Sequence, residues 1–138
     1  MDNAIKENCL KNELKIISYL RNDESKFIGE YFIDMDDEKS IYMPLYQLNL
    51  DKMIKKQTTY EVNLSLDNKL FILKGIVQGI GFLRSKNVLH RDLKPANIML
   101  SKDLIPKLID FGSGSLAYPS RQDIITARKI FFNLVFST

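Results

Sequence analysis

The stretch HRDLKPANIML, residues 90–100, gathers the chain's single histidine, an aspartate, an asparagine and two cations between apolar flanks. A second acid, Asp110, opens the tripeptide DFG at 110–112. Moving a phosphoryl group to a hydroxyl asks for a carboxylate to receive the hydroxyl proton and hard oxygen ligands for Mg²⁺. It also asks for a cation to balance the charge on the group in transit. Asp92 can take the proton, Lys94 supplies a point charge two residues on, and Asn97 and Asp110 carry the oxygens. Each acid stands where a predicted strand or helix meets a loop, so flanking strands can hold these groups around one centre.

The elements that must do the holding show as periodicities. Apolar residues at Ile5, Cys9, Leu10, Leu14, Ile16, Ile17 and Leu20 recur every three or four positions, which predicts a helix. Glu13 stands one turn from Cys9, Leu10, Ile16 and Ile17; spacing alone makes it a boundary glutamate whose head group reaches water. KFIGEYFID and KSIYMPLY are β-prone runs around the acidic turn MDDE and predict an antiparallel hairpin. Pro44 cannot donate to a ladder, so the chain leaves the sheet there. LNLDKMI predicts one or two helical turns and KKQTTYEVN a loop. Leu66, Leu70, Leu73, Val77 and Ile80, widened by Ile76 and Leu83, mark a second helix with Asn87 as a left-handed cap. Gly75, Gly79 and Gly81 lie inside that helix and are read as permitting close packing; no strand precedes them, so they are not a phosphate loop. NIML and PKLIDF predict two short strands joined by the turn SKDL.

A net charge of +3 over 138 residues, with the lysines scattered, predicts no nucleic-acid partner. The single cysteine, Cys9, cannot close an internal disulfide and fits a reducing compartment. Charged and apolar residues alternate at the N-terminus, unlike a signal peptide, and the longest apolar stretch, IFFNLVF, is too short to cross a bilayer. These features predict an intracellular chain, cytoplasmic or nuclear, with no membrane partner.

The two motifs, in this order, resemble those of the eukaryotic protein kinase family of serine/threonine type. That family's catalytic loop reads H-R-D-L-K-P-x-N and its metal-binding loop D-F-G. The resemblance runs from about Glu13 to about Arg128 and implies an α+β, partial protein-kinase-like fold. It implies catalytic roles for Asp92, Lys94 and Asn97, with Asn97 and Asp110 holding Mg²⁺ on ATP. It also implies that His90 packs near Phe111 of the D-F-G loop, which Gly112 completes. NELKIISYL resembles the family's αC helix, with Glu13 in the place of the glutamate that pairs with a strand lysine, and this replaces the boundary reading. IYMPLY resembles the fifth strand running into the hinge. Met43 is then the gatekeeper, and Pro44, Leu45 and Tyr46 hold adenine through backbone groups; Pro44 lacks its N–H where the family uses a carbonyl. The second helix resembles the family's αE, and Met99 matches the residue beneath adenine. Lys94 implies serine or threonine as acceptor. Arg91 matches kinases controlled by activation-loop phosphorylation, an exposed salt bridge being its plainer alternative.

The resemblance also implies gaps. Residues 1–138 are expected to form one incomplete kinase domain: 1–46 part of the N-lobe with the hinge, 47–112 part of the C-lobe, and 113–138 a degenerate activation segment. The family's first three strands, with the glycine-rich loop and the strand lysine, are expected to be missing. So are the later helices, including the one that anchors the catalytic loop. DIITAR resembles the approach to A-P-E in cyclin-dependent-type kinases, but KIFFNLVF follows it. The implied function is transfer of the ATP γ-phosphate to a protein serine or threonine, with a partner protein covering the bare surfaces. The alternatives are a non-catalytic kinase-like binding module and the inactive product of a disrupted kinase gene. An uncovered hairpin edge and the IFFNLVF tail predict a marginal monomer that associates. Ser113, Ser115, Tyr118, Ser120 and Thr126 stand open as phosphosites.

Overall fold

Alternating charged and apolar residues produce a first helix, α1 (Asn3–Leu20), whose C-terminal half alone is buried, through Ile16, Ile17 and Leu20. In the computed structural model the described residues are 3–20, 23, 25–34, 36, 40–116 and 122–136. Of the expected turn MDDE only Asp36 lies among them, and the candidate phosphosites Tyr118 and Ser120 lie outside. The predicted hairpin forms as β1 (Phe32–Ile33) and β2 (Ile41–Tyr42), antiparallel with Phe32 opposite Tyr42.

After the connection at Met43–Gln47 come β3 (Leu48–Asn49) and α2 (Leu50–Thr58). Asn49 caps α2, its side-chain oxygen accepting from the Lys52 N–H at 2.8 Å. The helix runs further into the expected loop than LNLDKMI alone predicts. Helix α3 (Leu66–Ser85) is capped by Ser65, whose hydroxyl accepts from the Asn68 N–H at 3.1 Å. Asn87 takes the left-handed conformation expected of it, at φ 56°, and its N–H donates to the Arg84 carbonyl.

Next are β4 (Val88–Leu89), a single 3₁₀ turn (Pro95–Asn97), β5 (Ile98–Leu100), β6 (Pro106–Leu108), β7 (Ser115–Leu116) and α4 (Gln122–Phe136). Strands β3, β5 and β6 form one antiparallel sheet in that order; β4 pairs with β7. NIML and PKLIDF therefore become the central pair β5–β6. The first half of the predicted KFIGEYFID strand leaves the hairpin for this sheet. The Leu108 N–H donates to the Phe27 carbonyl and the Gly29 N–H to the Leu108 carbonyl, both at 2.8 Å.

The core lies between α3, the central sheet and α4. Helix α3 buries Ile72, Ile76, Ile80 and Leu83, the sheet adds Ile98, Leu100 and Leu108, and α4 adds Ala127, Ile130 and Leu134. The stripe expected on α3 holds in part: Ile76, Ile80 and Leu83 are buried as expected, whereas Leu66, Leu70 and Val77 are exposed and Ile72 is buried in addition. The helix is apolar around most of its circumference, and the buried side is the one where Gly75 and Gly79 let the sheet approach. A Cβ at Gly75 would stand 2.5 Å from Pro106. Gly81, by contrast, faces open space.

Helix α4 lies within 113–138, the segment expected to be a degenerate activation segment. Residues 113–121 alone separate the D-F-G loop from it. Asp123, Ala127, Ile130 and Leu134 are all buried, three or four positions apart, so the tail read as an exposed remnant docks one face onto the core.

Candidate active site

The catalytic loop is built around His90, whose side chain has no exposed surface. Nδ1 accepts from the Asp92 N–H at 3.1 Å and Nε2 lies 2.7 Å from the Ile109 carbonyl. A carbonyl only accepts, so Nε2 carries the proton and donates to it. One ring thereby ties Asp92 to the strand end that delivers Asp110, and it packs on Phe111 at 5.2 Å between centroids, as expected. The His90 backbone N–H donates to the Asp123 carboxylate at 3.1 Å, so α4 holds the loop from beneath.

Asn97 closes the loop. Its Nδ2 donates to the Asp92 carbonyl at 2.9 Å and to Asp92 Oδ2 at 3.2 Å, while its own carbonyl accepts from the Ile109 N–H at 3.0 Å. Lys94 Nζ stands 3.8 Å from the same Asp92 oxygen, both side chains half in solvent. Arg91 and Asp110 have φ of 69° and 65°, left-handed conformations unusual outside glycine and concentrated where function over-determines the backbone. The Arg91 side chain is exposed.

The D-F-G loop is gripped from α1. Asn12 Nδ2 donates to the carbonyls of Gly112 and Gly114 at 2.9 and 2.8 Å. Position 114 must be glycine, because a Cβ there would stand 2.6 Å from Ile16 Cδ1 and 2.9 Å from the Leu89 carbonyl. Asp110 Oδ1 accepts from the Gly112 N–H at 3.3 Å, and the Asp110 N–H donates to the Tyr31 hydroxyl at 3.0 Å. Glu13 is half-buried beside this loop, next to the Phe111 backbone and the Tyr31 hydroxyl. Burial and the neighbouring Asp110 charge push its carboxyl above the usual glutamate value. None of the ion pairs seen among the described residues, Lys55–Asp51, Lys86–Asp23 and Lys94–Asp92, involves Glu13.

On the expected adenine side, Met43 and Pro44 follow β2 and Leu45 is fully exposed. The structure ties Tyr46 to the hairpin rather than to the catalytic loop: its hydroxyl accepts from the Glu30 N–H at 3.3 Å. Met99 lies in β5 opposite Asn49 and Lys107. A cleft of about 510 Å³ opens elsewhere, between Ile17, Leu20, Ile28, Phe32, Phe82 and Phe111; none of Asp92, Lys94, Asn97 and Asp110 lines it.

Three positioning residues escaped the sequence reading: Asn12, Tyr31 and Asp123. Asp123 had a signal, since it begins the spacing that continues through Ala127, Ile130 and Leu134 and so shares the buried face. The donor set near Asn97 and Asp110 suits Mg²⁺, which takes one or two protein oxygens and completes its shell with water and phosphate. Among the described residues no cluster of three or more histidine, cysteine or acidic side chains could hold a metal by itself.

The model of the protein kinase domain matches residues 2–131. The chain belongs to the protein kinase family. It is 32% identical over 122 residues to the receptor-like serine/threonine-protein kinase SD1-7 of Arabidopsis thaliana, covering 86% of this chain and 14% of that protein. It is 33% identical over 120 residues to the putative 3-phosphoinositide-dependent protein kinase 2 of Homo sapiens, covering 83% and 29%. It is 30% identical over 106 residues to the inactive leucine-rich repeat receptor-like protein kinase CORYNE of A. thaliana, covering 75% and 26%. The chain thus spans less than a third of each relative's length. Among the described residues no helix is long and apolar enough to cross a membrane.

Proposed function

We propose that this chain carries the catalytic-loop chemistry of a serine/threonine protein kinase, moving the γ-phosphate of ATP to a serine or threonine hydroxyl of a protein substrate. The observation that carries this reading is the setting of Asp92. Asn97 holds its Oδ2 at 3.2 Å, Lys94 stands 3.8 Å from the same oxygen, and His90 ties its backbone to the carbonyl immediately before Asp110. A carboxylate so fixed orients an incoming hydroxyl and takes its proton, and Lys94 is near enough to balance charge on the phosphoryl group. Because the Asn97 amide nitrogen is committed to Asp92, its oxygen is the atom left for a cation, with the Asp110 carboxylate as the second ligand. Mg²⁺ held by these two would neutralise phosphate charge. Met43, Pro44, Tyr46 and Met99 are the residues we assign to the adenine side, Pro44 through its carbonyl.

A second reading is a non-catalytic kinase-like module that binds a partner protein. The name of the relative CORYNE, which records an inactive protein kinase, favours it. The two readings part in one assay: Mg²⁺-dependent transfer from radiolabelled ATP to a generic basic protein. Asp92→Asn and Asp110→Asn are expected to lower transfer by at least ~100-fold. A parent chain no faster than the two variants refutes the enzyme and leaves the binding module.

A further inference from the structure

We infer that Tyr31 is a positioning residue for the metal-binding loop, its hydroxyl forming a bridge to the Asp110 backbone N–H and so setting the direction of the Asp110 side chain. The inference rests on the proposed role of Asp110 as Mg²⁺ ligand.

Three features of the site meet at this hydroxyl. First, Asp110 adopts φ 65°, a conformation unfavourable for a non-glycine residue that persists only where the surroundings hold it. The Asn97–Ile109 bond fixes the residue before; the 3.0 Å bond from the Asp110 N–H to Tyr31 Oη fixes Asp110 itself. Second, the hydroxyl acts on the backbone of Asp110 while the carboxylate of the same residue accepts from the Gly112 N–H at 3.3 Å, so the two ends of Asp110 are held separately. Third, the ring is located independently of its hydroxyl, by edge-on packing against Phe111 at 6.2 Å and 62°.

These features separate Tyr31 from a packing residue. Phenylalanine at 31 preserves the ring contact with Phe111 and removes only the bridge. The Asp110 N–H then loses its acceptor, and the Asp110 carboxylate loses its fixed bearing toward the cation shared with Asn97.

The test uses the full chain and its Tyr31→Phe variant with two measurements. On metal-free protein, amide hydrogen exchange of Asp110 is expected to quicken by about three- to tenfold, the equivalent of one net hydrogen bond, with Ile109 and Asn97 unchanged. With ADP as the probe, the Mg²⁺ concentration for half-maximal binding is expected to rise by a similar factor, while ADP affinity without Mg²⁺ stays within twofold. A general loss of packing weakens both ADP affinities together and leaves no such split. Unchanged exchange at Asp110, an unchanged Mg²⁺ requirement, or equal weakening with and without Mg²⁺ overturns the assignment. A parent chain that binds no ADP at any Mg²⁺ concentration refutes the functional reading instead, and the exchange at Asp110 alone then decides whether the bridge holds the loop.

Discussion

Asp123 and Glu13 are both acids at helix positions that meet the catalytic machinery, and each is used differently. Asp123 is buried and spends its carboxylate on the His90 N–H. Replacing it with alanine leaves that N–H buried without a partner and is expected to cost about 1–3 kcal/mol of unfolding free energy. Chemical denaturation of Asp123→Ala beside Asp123→Asn checks this, because the amide retains an acceptor oxygen and should lose less; equal losses would contradict the account. Glu13 is pushed up by burial and by Asp110. Its pKa is higher folded than unfolded, so it favours the fold while protonated and loses that advantage as pH rises from the ordinary glutamate value through the raised one. Metal-free Glu13→Gln should therefore melt above the parent near neutral pH, with the gap closing in acid. Melting temperatures that track each other at every pH would show that Glu13 carries no such penalty.

At the scale of elements, legibility followed chemistry more closely than periodicity. H-R-D and D-F-G could be read because their spacing is constrained by the reaction, and His90 does reach Phe111 as the resemblance implied. Helix α3 was placed in the right segment with Ile76, Ile80 and Leu83 on its buried side, but leucines at 66 and 70 carry the same apolar signal as the buried Ile72 and drew the stripe too far round. Which side faces the sheet was decided by Gly75 and Gly79, whose missing side chains admit Pro106 and Leu108. Helix α4 was missed because the family template directed residues 113–138 toward A-P-E, although the spacing of Asp123, Ala127, Ile130 and Leu134 was already helical. That Glu13 lies beside Tyr31 and the Phe111 backbone could not be read from any spacing. If α4 is the anchor of the loop, truncating its buried face must damage the fold. Leu134→Ala, at a position with no exposed surface, is expected to cost about 2–5 kcal/mol in denaturant unfolding, and a cost near zero would show that the helix is not docked in solution.

For the whole molecule, the same helices that close the core leave large apolar residues outside it. Val77 is 54% exposed, Phe132 62% and Phe136 63%, the last two with rings 4.9 Å apart. Such a surface favours self-association. Sedimentation velocity should show concentration-dependent association that the double variant Phe132→Glu/Phe136→Glu reduces; a parent that stays monomeric at every concentration would contradict it. The account depends most on Asn97 and Asp110 sharing one nucleotide-bound cation beside Asp92. Paramagnetic Mn²⁺ in place of Mg²⁺ tests that by broadening the amide signals of residues close to the ion. With ATP present, the signals of Asn97 and of Asp110 to Gly112 should disappear together in the parent and in Asp92→Asn, and return in Asp110→Asn. Signals at 97 and 110 that stay sharp at saturating Mn²⁺ and ATP would contradict the site.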